Sequence, residues 1–144
     1  MVQRLLIVGT GEFSDIAYEY FTVDSSYTVV GFAVDREFLT ESRKLDLPVV
    51  ALDEAAAHFP PETTHAHVAI SSTKLNRVRA DLMEKSRALG YTLASFISPR
   101  AMVWRTAKIG ENVFIFEYNV IQHSVQIADG CVLWSGNHLG HQSK

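Results

Sequence analysis

A single cysteine, Cys131, is all the thiol the chain carries, so no internal disulfide can staple it, and a reducing compartment suits it. Two readings of that residue stand, a small buried hydrophobe or a reactive thiol. Excess basic charge is missing too. Thirteen Lys and Arg stand against sixteen Asp and Glu, for a formal net charge of -3, which excludes a general nucleic-acid binder with its basic face. No apolar run approaches the length of a membrane span. Met1 to Arg4 lead straight into a strand-like run, without the charged, apolar and small-residue regions of a secretory signal. Together these absences predict a cytoplasmic protein with neither nucleic acid nor membrane as a partner. The length of 144 residues, 47% apolar and 20% charged, suits an ordinary globular chain of one domain, or one domain with an appended module.

What is present is periodicity. Counting in sixes from Val103 meets Ile109, Ile115, Ile121, Ile127, Leu133 and Leu139 without a break. Four residues after each stands a small or compact side chain in most cases: Ala107, Val113, Asn119, Val125, Cys131, Asn137 and Ser143. A period of six fits neither a 3.6-residue helix nor a strand meander with separate turns. It fits a parallel β-helix, in which short strands and tight corners wind up a triangular prism with the aliphatics inside. At three hexads per coil the run makes roughly two coils, and stacking of coils supplies the stability. The run stops in mid-coil at Lys144 without a polar capping segment, which predicts that the chain is part of a longer protein, since an uncapped coil leaves an open edge.

Ahead of the hexads the pattern changes. Arg4 to Gly9 reads as a buried parallel strand, short and continuously apolar, and a helical pattern follows through Ile16, Ala17 and Tyr20. Tyr27 to Asp35 is a second strand ending in an acid. Val49-Val50 suggests a short third, and Asp53 to Phe59 a short helix capped by Asp53. His67 to Ile70 is a fourth strand, closing on Ser71-Ser72-Thr73. A long helix presents Leu75, Val78, Leu82 and Leu89 on one face and stops at Gly90, with Lys74, Arg77, Arg79, Lys85 and Arg87 on its solvated side. Thr92 to Ile97 is the last strand of this half, and Ser98-Pro99-Arg100 is the hinge, because Pro99 breaks any ladder. Strands alternating with helices predict a parallel α/β sheet. The expected organisation is therefore an α/β domain over 1–99 followed by a β-helix over 100–144.

Several residues carry possible chemistry. Gly9, Thr10, Gly11, Glu12, Phe13 and Ser14 sit between the first strand and first helix, where glycines let backbone N–H groups approach a phosphate. Ser14 stands where the dinucleotide fingerprint has a third glycine, so nucleotide binding and a merely structural turn both remain open. Asp35 ends the second strand where a carboxylate can accept hydrogen bonds from ribose hydroxyls, or simply caps a turn. Ser71 and Ser72 border the same crevice, or cap the following helix. His65 and His67 share a strand face, but no Cys, Asp or Glu joins them nearby, so no metal site is expected. His123 falls at an outward position in the hexads and reads as surface. His138 and His141 lie where the hexads turn rich in Gly, Ser and Asn. With Leu133 and Leu139 inward, His141 projects outward or lies at a corner, and an exposed imidazole titrates near neutral pH, which suits proton abstraction. A surface or trimer-packing histidine is the plain alternative.

The hexads, the Gly9–Ser14 turn, the segment Ile115 to Gln122 and the run Leu133 to His141 together resemble the bacterial sugar acyltransferases of the left-handed β-helix superfamily, in the branch similar to sialic-acid O-acetyltransferases. The resemblance covers the whole chain. It implies a Rossmann-like domain that holds a nucleotide-activated sugar through the Gly9–Ser14 loop and Asp35. It also implies a left-handed β-helix that continues for several more coils, acetyl-CoA as acyl donor along that helix, and a homotrimer. On this pattern His141 matches the general base that takes a proton from the sugar's amino or hydroxyl group as it attacks the thioester, and His138 matches a substrate or coenzyme contact. Gln142 stands where some relatives carry a carboxylate, and it can hydrogen-bond an imidazole without stabilising an imidazolium by charge. The implied activity is an acyl-CoA-dependent N- or O-acyltransferase in cell-surface glycan biosynthesis, with the 144-residue chain expected to be inactive alone. Two other readings stand beside it: a nucleotide-binding and oligomerisation module without chemistry, and a nicotinamide-dependent oxidoreductase, which the hexads do not serve.

Overall fold

In a computed structural model that describes residues 3–70 and 77–144, the first apolar run becomes strand β1, Gln3–Val8, with Leu5, Leu6, Ile7 and Val8 completely buried. A strand covered on both faces has no reason to alternate, hence the unbroken apolar run. Helix α1, Glu12–Asp24, follows and turns Phe13, Ser14, Ala17 and Phe21 inward. Then come β2 (Tyr27–Val34), β3 (Arg43–Lys44), β4 (Leu47–Ala51), the one-turn helix α2 (Ala55–His58), β5 (Thr64–Val68) and α3 (Arg77–Ala88). The strands form one sheet in the order β3-β4-β2-β1-β5. Pairing is parallel except for β3, which joins β4 antiparallel at the edge. Strand order thus runs to one side of β1 through β2 and β4, and to the other side through β5. In open parallel sheets such a reversal leaves a crevice beyond the carboxyl ends of the strands.

Three expectations shift in this unit. Asp53 caps nothing, because the helix near it is only a turn of 3-10 helix followed by α2; its carboxylate instead accepts two hydrogen bonds from Arg36, at 2.8 and 3.2 Å. The inward face of α3 is Arg79, Leu82, Met83 and Ser86, while Val78 is exposed. Arg79 leaves the expected solvated side because its guanidinium donates to the Ile70 carbonyl at 2.9 Å, so its charge is buried with a partner rather than in water. Beyond α3, only an isolated parallel bridge between Leu93 and Ala66 extends the sheet.

The chain divides into two compact units, Met1–Ala94 and Ser95–Lys144. The second begins before the expected hinge. Phe96–Ile97, read from sequence as sheet, is strand β6 of the coil and pairs with β9, Phe114–Ile115. The reason is register: Ile97 lies six residues before Val103, so the repeat starts one hexad early. Ser98 to Ala101 then forms a coil corner, in which the Ala101 N–H donates to the Ser98 carbonyl at 3.0 Å and the Ser98 N–H to Ile115 at 2.9 Å.

The remaining strands are β7 (Met102–Val103), β8 (Lys108–Ile109), β10 (Val120–Ile121), β11 (Gln126–Ile127), β12 (Val132–Leu133) and β13 (His138–Leu139). Each pairs in parallel with the strand eighteen residues away, giving three sheets: β6-β9-β12, β7-β10-β13 and β8-β11. Three faces of six residues make one coil. Inside lie Val113, Ile115, Ile121, Val125 and Ile127, with Val103, Ala107, Ile109, Cys131, Leu133 and Leu139 packed on them, so Cys131 takes its place as a small core hydrophobe. Asn119 is buried too, and its amide is satisfied by the Phe116 carbonyl at 2.9 Å and the Asn137 N–H at 3.0 Å. The corners repeat as strictly as the strands. Asn112, Tyr118, Ser124, Gly130, Gly136 and Gln142, each six residues apart, all have positive φ, between 55° and 88°.

Candidate functional site

The coil stacks equivalent residues eighteen apart, so its outer surface is a set of columns. Trp104 and Gln122 share one column and His123 and His141 the next. These four, with Met102, line a cleft of about 420 Å³. The two imidazoles in it differ in their surroundings. The His123 ring is engaged at both nitrogens, Nδ1 at 2.7 Å from the Thr106 hydroxyl and Nε2 at 3.1 Å from the Ser124 hydroxyl. Thr106 also accepts the Ser124 N–H at 3.0 Å, which ties that corner to the coil below. The exposed His141 ring has no hydrogen bond or ion pair among the described residues. An imidazole whose nitrogens are open can accept a proton from a ligand; one already bonded at both must first give up a partner. His141 thus presents ring nitrogens open to a ligand, whereas His123 is a fixed part of the wall.

Of the residues expected here, His141 lies in the cleft. His138 is exposed in β13, beside Val120, and is not among the residues that line it. His123, read from sequence as plain surface, does line it. The signal was available: it precedes His141 by eighteen residues, one full coil. Gln142 occupies a positive-φ corner, and its backbone N–H donates to the His123 carbonyl at 2.8 Å.

In the first unit the Gly9–Ser14 turn lies at the carboxyl edge of β1, where the strand order reverses. Gly9 is required by geometry. Its φ is +125°, and a Cβ there would stand 2.8 Å from the Ala69 carbonyl oxygen, closer than real Cβ atoms come. Gly11 has no such neighbour within 4 Å, adopts an extended φ of -82° and precedes α1 without any side-chain cap. Neither strain nor crowding calls for glycine there. Phe13 and Ser14 are packed away, with the Ser14 hydroxyl donating to the Gly11 carbonyl. That bond lets a serine take the third glycine's place. Thr10, Gly11 and Glu12 are the members of the turn left at least partly exposed.

Asp35 follows β2 and borders a different cavity, about 330 Å³, lined by Arg36, Leu52, Asp53, Lys85, Ala88 and Leu89 as well. Its carboxylate lies 3.3 and 3.4 Å from the Lys85 ammonium. Hydrogen bonds first to Asp81 and then to Asp35 hold Lys85 above its ordinary pKa. Arg36, bonded to Asp53 and Glu54, is likewise raised, and its hydrogen bond pulls Asp53 down. A ligand hydroxyl at Asp35 must therefore share the carboxylate with Lys85. Ser71 and Ser72 lie outside the described residues. His65 and His67 bond to other groups: His65 meets the Tyr27 hydroxyl at 2.9 Å and His67 the Ala94 carbonyl at 2.8 Å. Among the described residues no group of three or more His, Cys, Asp or Glu could hold a metal ion, and no helix is long and apolar enough to cross a membrane.

Residues 106–141 match the family model for the bacterial transferase hexapeptide (six repeats). No curated protein sequence matches the chain. Among solved structures, the acetyltransferase domain of PglB from Neisseria gonorrhoeae FA1090 is similar at 25% identity and a TM-score of 0.80, over 97% of this chain and 66% of that one. The same domain in complex with acetyl coenzyme A gives a TM-score of 0.80 at 22% identity, over 99% and 66%, a likeness of fold. PerB from Caulobacter crescentus, in complex with CoA and GDP-perosamine, is similar at 25% identity and a TM-score of 0.79, over 98% of this chain and 64% of that one. The chain thus spans just under two thirds of the length of these structures, between 64 and 66%.

Proposed function

We propose that this chain belongs to an acyl-CoA-dependent acyltransferase, with acetyl-CoA as donor, that acylates the amino or hydroxyl group of a nucleotide-linked sugar for cell-surface glycans in the cytoplasm. The observation that carries the reading is His141, an imidazole with open nitrogens in an outward cleft of a hexapeptide-repeat coil. The likeness to acetyltransferase structures solved with coenzyme and with GDP-perosamine supports it. His141 takes the proton of the attacking nitrogen or oxygen, the new bond forms at the thioester carbonyl, and the coenzyme leaves as its thiol. Gln142 supplies no charge to the imidazolium. The first unit is Rossmann-like and holds the nucleotide, with the exposed part of the Gly9–Ser14 turn, Ser71, Ser72 and Asp35 as contacts. The coil is left-handed, His138 touches substrate or coenzyme, and the protein works as a homotrimer. Within that class, the run Leu133 to His141 supports the branch similar to sialic-acid O-acetyltransferases.

Replacement His141→Ala, in a form as long as the acetyltransferases it resembles, is expected to lower thiol release from acetyl-CoA by about 10²–10⁴-fold while leaving nucleotide-sugar binding intact. Unchanged transfer would remove His141 as base. The second reading, a nucleotide-binding and oligomerisation module, is favoured by Gln142 in place of a carboxylate, and predicts nucleotide-sugar binding with no thiol release at any length.

A further inference from the structure

His123 is held rather than open, yet one of its two partners is itself a nucleophile. Its Nε2 lies 3.1 Å from the Ser124 hydroxyl and its Nδ1 2.7 Å from the Thr106 hydroxyl. Thr106 accepts the Ser124 N–H as well, at 3.0 Å, and a hydroxyl oxygen with two lone pairs can take a second donor. With Nδ1–H donating to Thr106, Nε2 keeps its lone pair for the Ser124 proton. Hydroxyl, base and the group that orients the base then stand in series, the arrangement that activates a nucleophile. Ser124 Oγ has no other polar partner among the described residues. It is partly exposed beside an exposed His123, so a small molecule reaches the pair from solvent.

Acyl chemistry at a hydroxyl also needs a donor for the oxygen that turns negative. Where a serine nucleophile sits on a sharp turn, the N–H of the following residue supplies it. Ser124 turns its corner with a φ of 58°, and the residue after it is Val125. The Val125 N–H reaches the Gln122 carbonyl at 3.4 Å, whereas the equivalent corner bonds of Ala101, Ala107 and Ser143 measure 3.0, 3.0 and 3.2 Å. It is the least committed of these donors. Beside His123 the cleft wall holds Met102 and Trp104, both exposed, and no lysine, arginine or carboxylate. An uncharged ester with an apolar leaving group suits such a wall. We propose that His123 and Ser124 form a second nucleophilic site, separate from His141, that takes acyl groups from small uncharged esters and hydrolyses them slowly. Ser124 Oγ bonds to the ester carbonyl carbon, the bond to the leaving oxygen breaks, and His123 Nε2 passes the serine proton to that oxygen. Water then attacks the acyl-serine, its proton returns to Ser124 through His123, and the acyl group departs as a carboxylic acid. Thr106 touches none of the reacting atoms and is a positioning residue. Being uncharged, it supports an imidazolium less than a triad carboxylate does, and turnover is slow for that reason. Neither acetyl-CoA nor a nucleotide sugar is needed.

Mixing the chain with p-nitrophenyl acetate is expected to give a burst of p-nitrophenolate followed by slower steady release, with the acetyl group located on Ser124 by peptide mass spectrometry. Ser124→Gly removes the hydroxyl at a backbone that glycine adopts freely, so the fold is kept and the burst should vanish. His123→Gln, checked for an unchanged thermal transition, should slow the burst by about a hundredfold or more. Thr106→Val should slow it as well and Thr106→Ser restore it, since only the hydroxyl is required; a Thr106 that merely supports the corner would leave the burst alone. No burst, a burst that survives Ser124→Gly or is unchanged in His123→Gln, or an acetyl group carried by His123, His141 or a lysine instead would overturn the site. Thiol release lost on His141→Ala in the longer form speaks to the acyltransferase alone, and acetyl on Ser124 to this pair alone.

Discussion

At the scale of single residues, His67 makes a measurable demand on pH. It is completely buried, and burial pushes its pKa down to about 4, against a smaller opposing effect of its hydrogen bond to the Ala94 carbonyl. The folded state therefore prefers the neutral ring, whereas the unfolded chain takes up a proton near pH 6.5. Stability is whole above that value and is lost as pH falls towards 4, at about 1.4 kcal/mol per unit. Urea unfolding at pH 7 and pH 5 should differ by about 2 kcal/mol through this group alone, and His67→Gln, which keeps an N–H for Ala94, should remove most of that difference. The two glycines of the first turn separate conformation from function in the same way. Gly9→Ala is expected to destabilise by about 1–3 kcal/mol, because its φ and the Ala69 carbonyl both exclude a side chain. Gly11→Ser should stabilise by about 0.5–1 kcal/mol, since it adds a cap at a compatible backbone. If Gly11 is glycine for the sake of a phosphate, the same change weakens nucleotide binding, and a titration of the more stable variant shows it.

Among elements, the coil is the clearest case of local chemistry repeated until it becomes a fold. Its aliphatics were legible from sequence because each faces inward at a fixed interval. The corners were not, because the demand there falls on φ and the residues that meet it are as unlike as Asn112, Tyr118, Gly130 and Gln142. A non-glycine residue in the left-handed region costs about 1–2 kcal/mol, and asparagine tolerates it best. Tyr118→Asn should thus raise stability by about 0.5–1 kcal/mol, measured as a higher urea midpoint with the same slope. In the core, Ile115→Ala should lower it by about 2–5 kcal/mol, since the residue is completely buried and the prism cannot collapse around the gap. The start of the coil was misplaced for a related reason. Pro99 looks like a break in a ladder, yet it sits in a corner, where no ladder bond is needed, and β6 before it had already joined the repeat.

For the whole molecule, the prediction is a division of labour. The 144-residue chain should gain thermal stability from one of the UDP-, GDP- or dTDP-linked sugars, by about 2.7 kcal/mol at a hundred times the dissociation constant. Acyl transfer by the same chain should be poor. It spans 64 to 66% of the acetyltransferase structures it resembles, and loss of a single oxyanion donor lowers turnover by about a hundredfold or more. Full turnover by this chain would contradict that expectation, and indifference to all three nucleotide sugars would remove the nucleotide from the proposal.

Period and alternation were decided by sequence alone. The hexads name the prism, and the strand-helix alternation names the parallel sheet, because both depend on which face of a short element is apolar, and that is written in neighbouring residues. What only the tertiary structure decided is which distant residues meet. Arg79 turned inward because the Ile70 carbonyl was there to receive it. Asp35 proved to be shared with Lys85, fifty residues away. His123 changed from surface to cleft wall because the coil stacks it beneath His141, with Thr106 and Ser124 to hold it. A single turn of chain carries no record of such partners; they follow from the pitch of the coil and the order of the strands, which exist only once the chain has closed on itself.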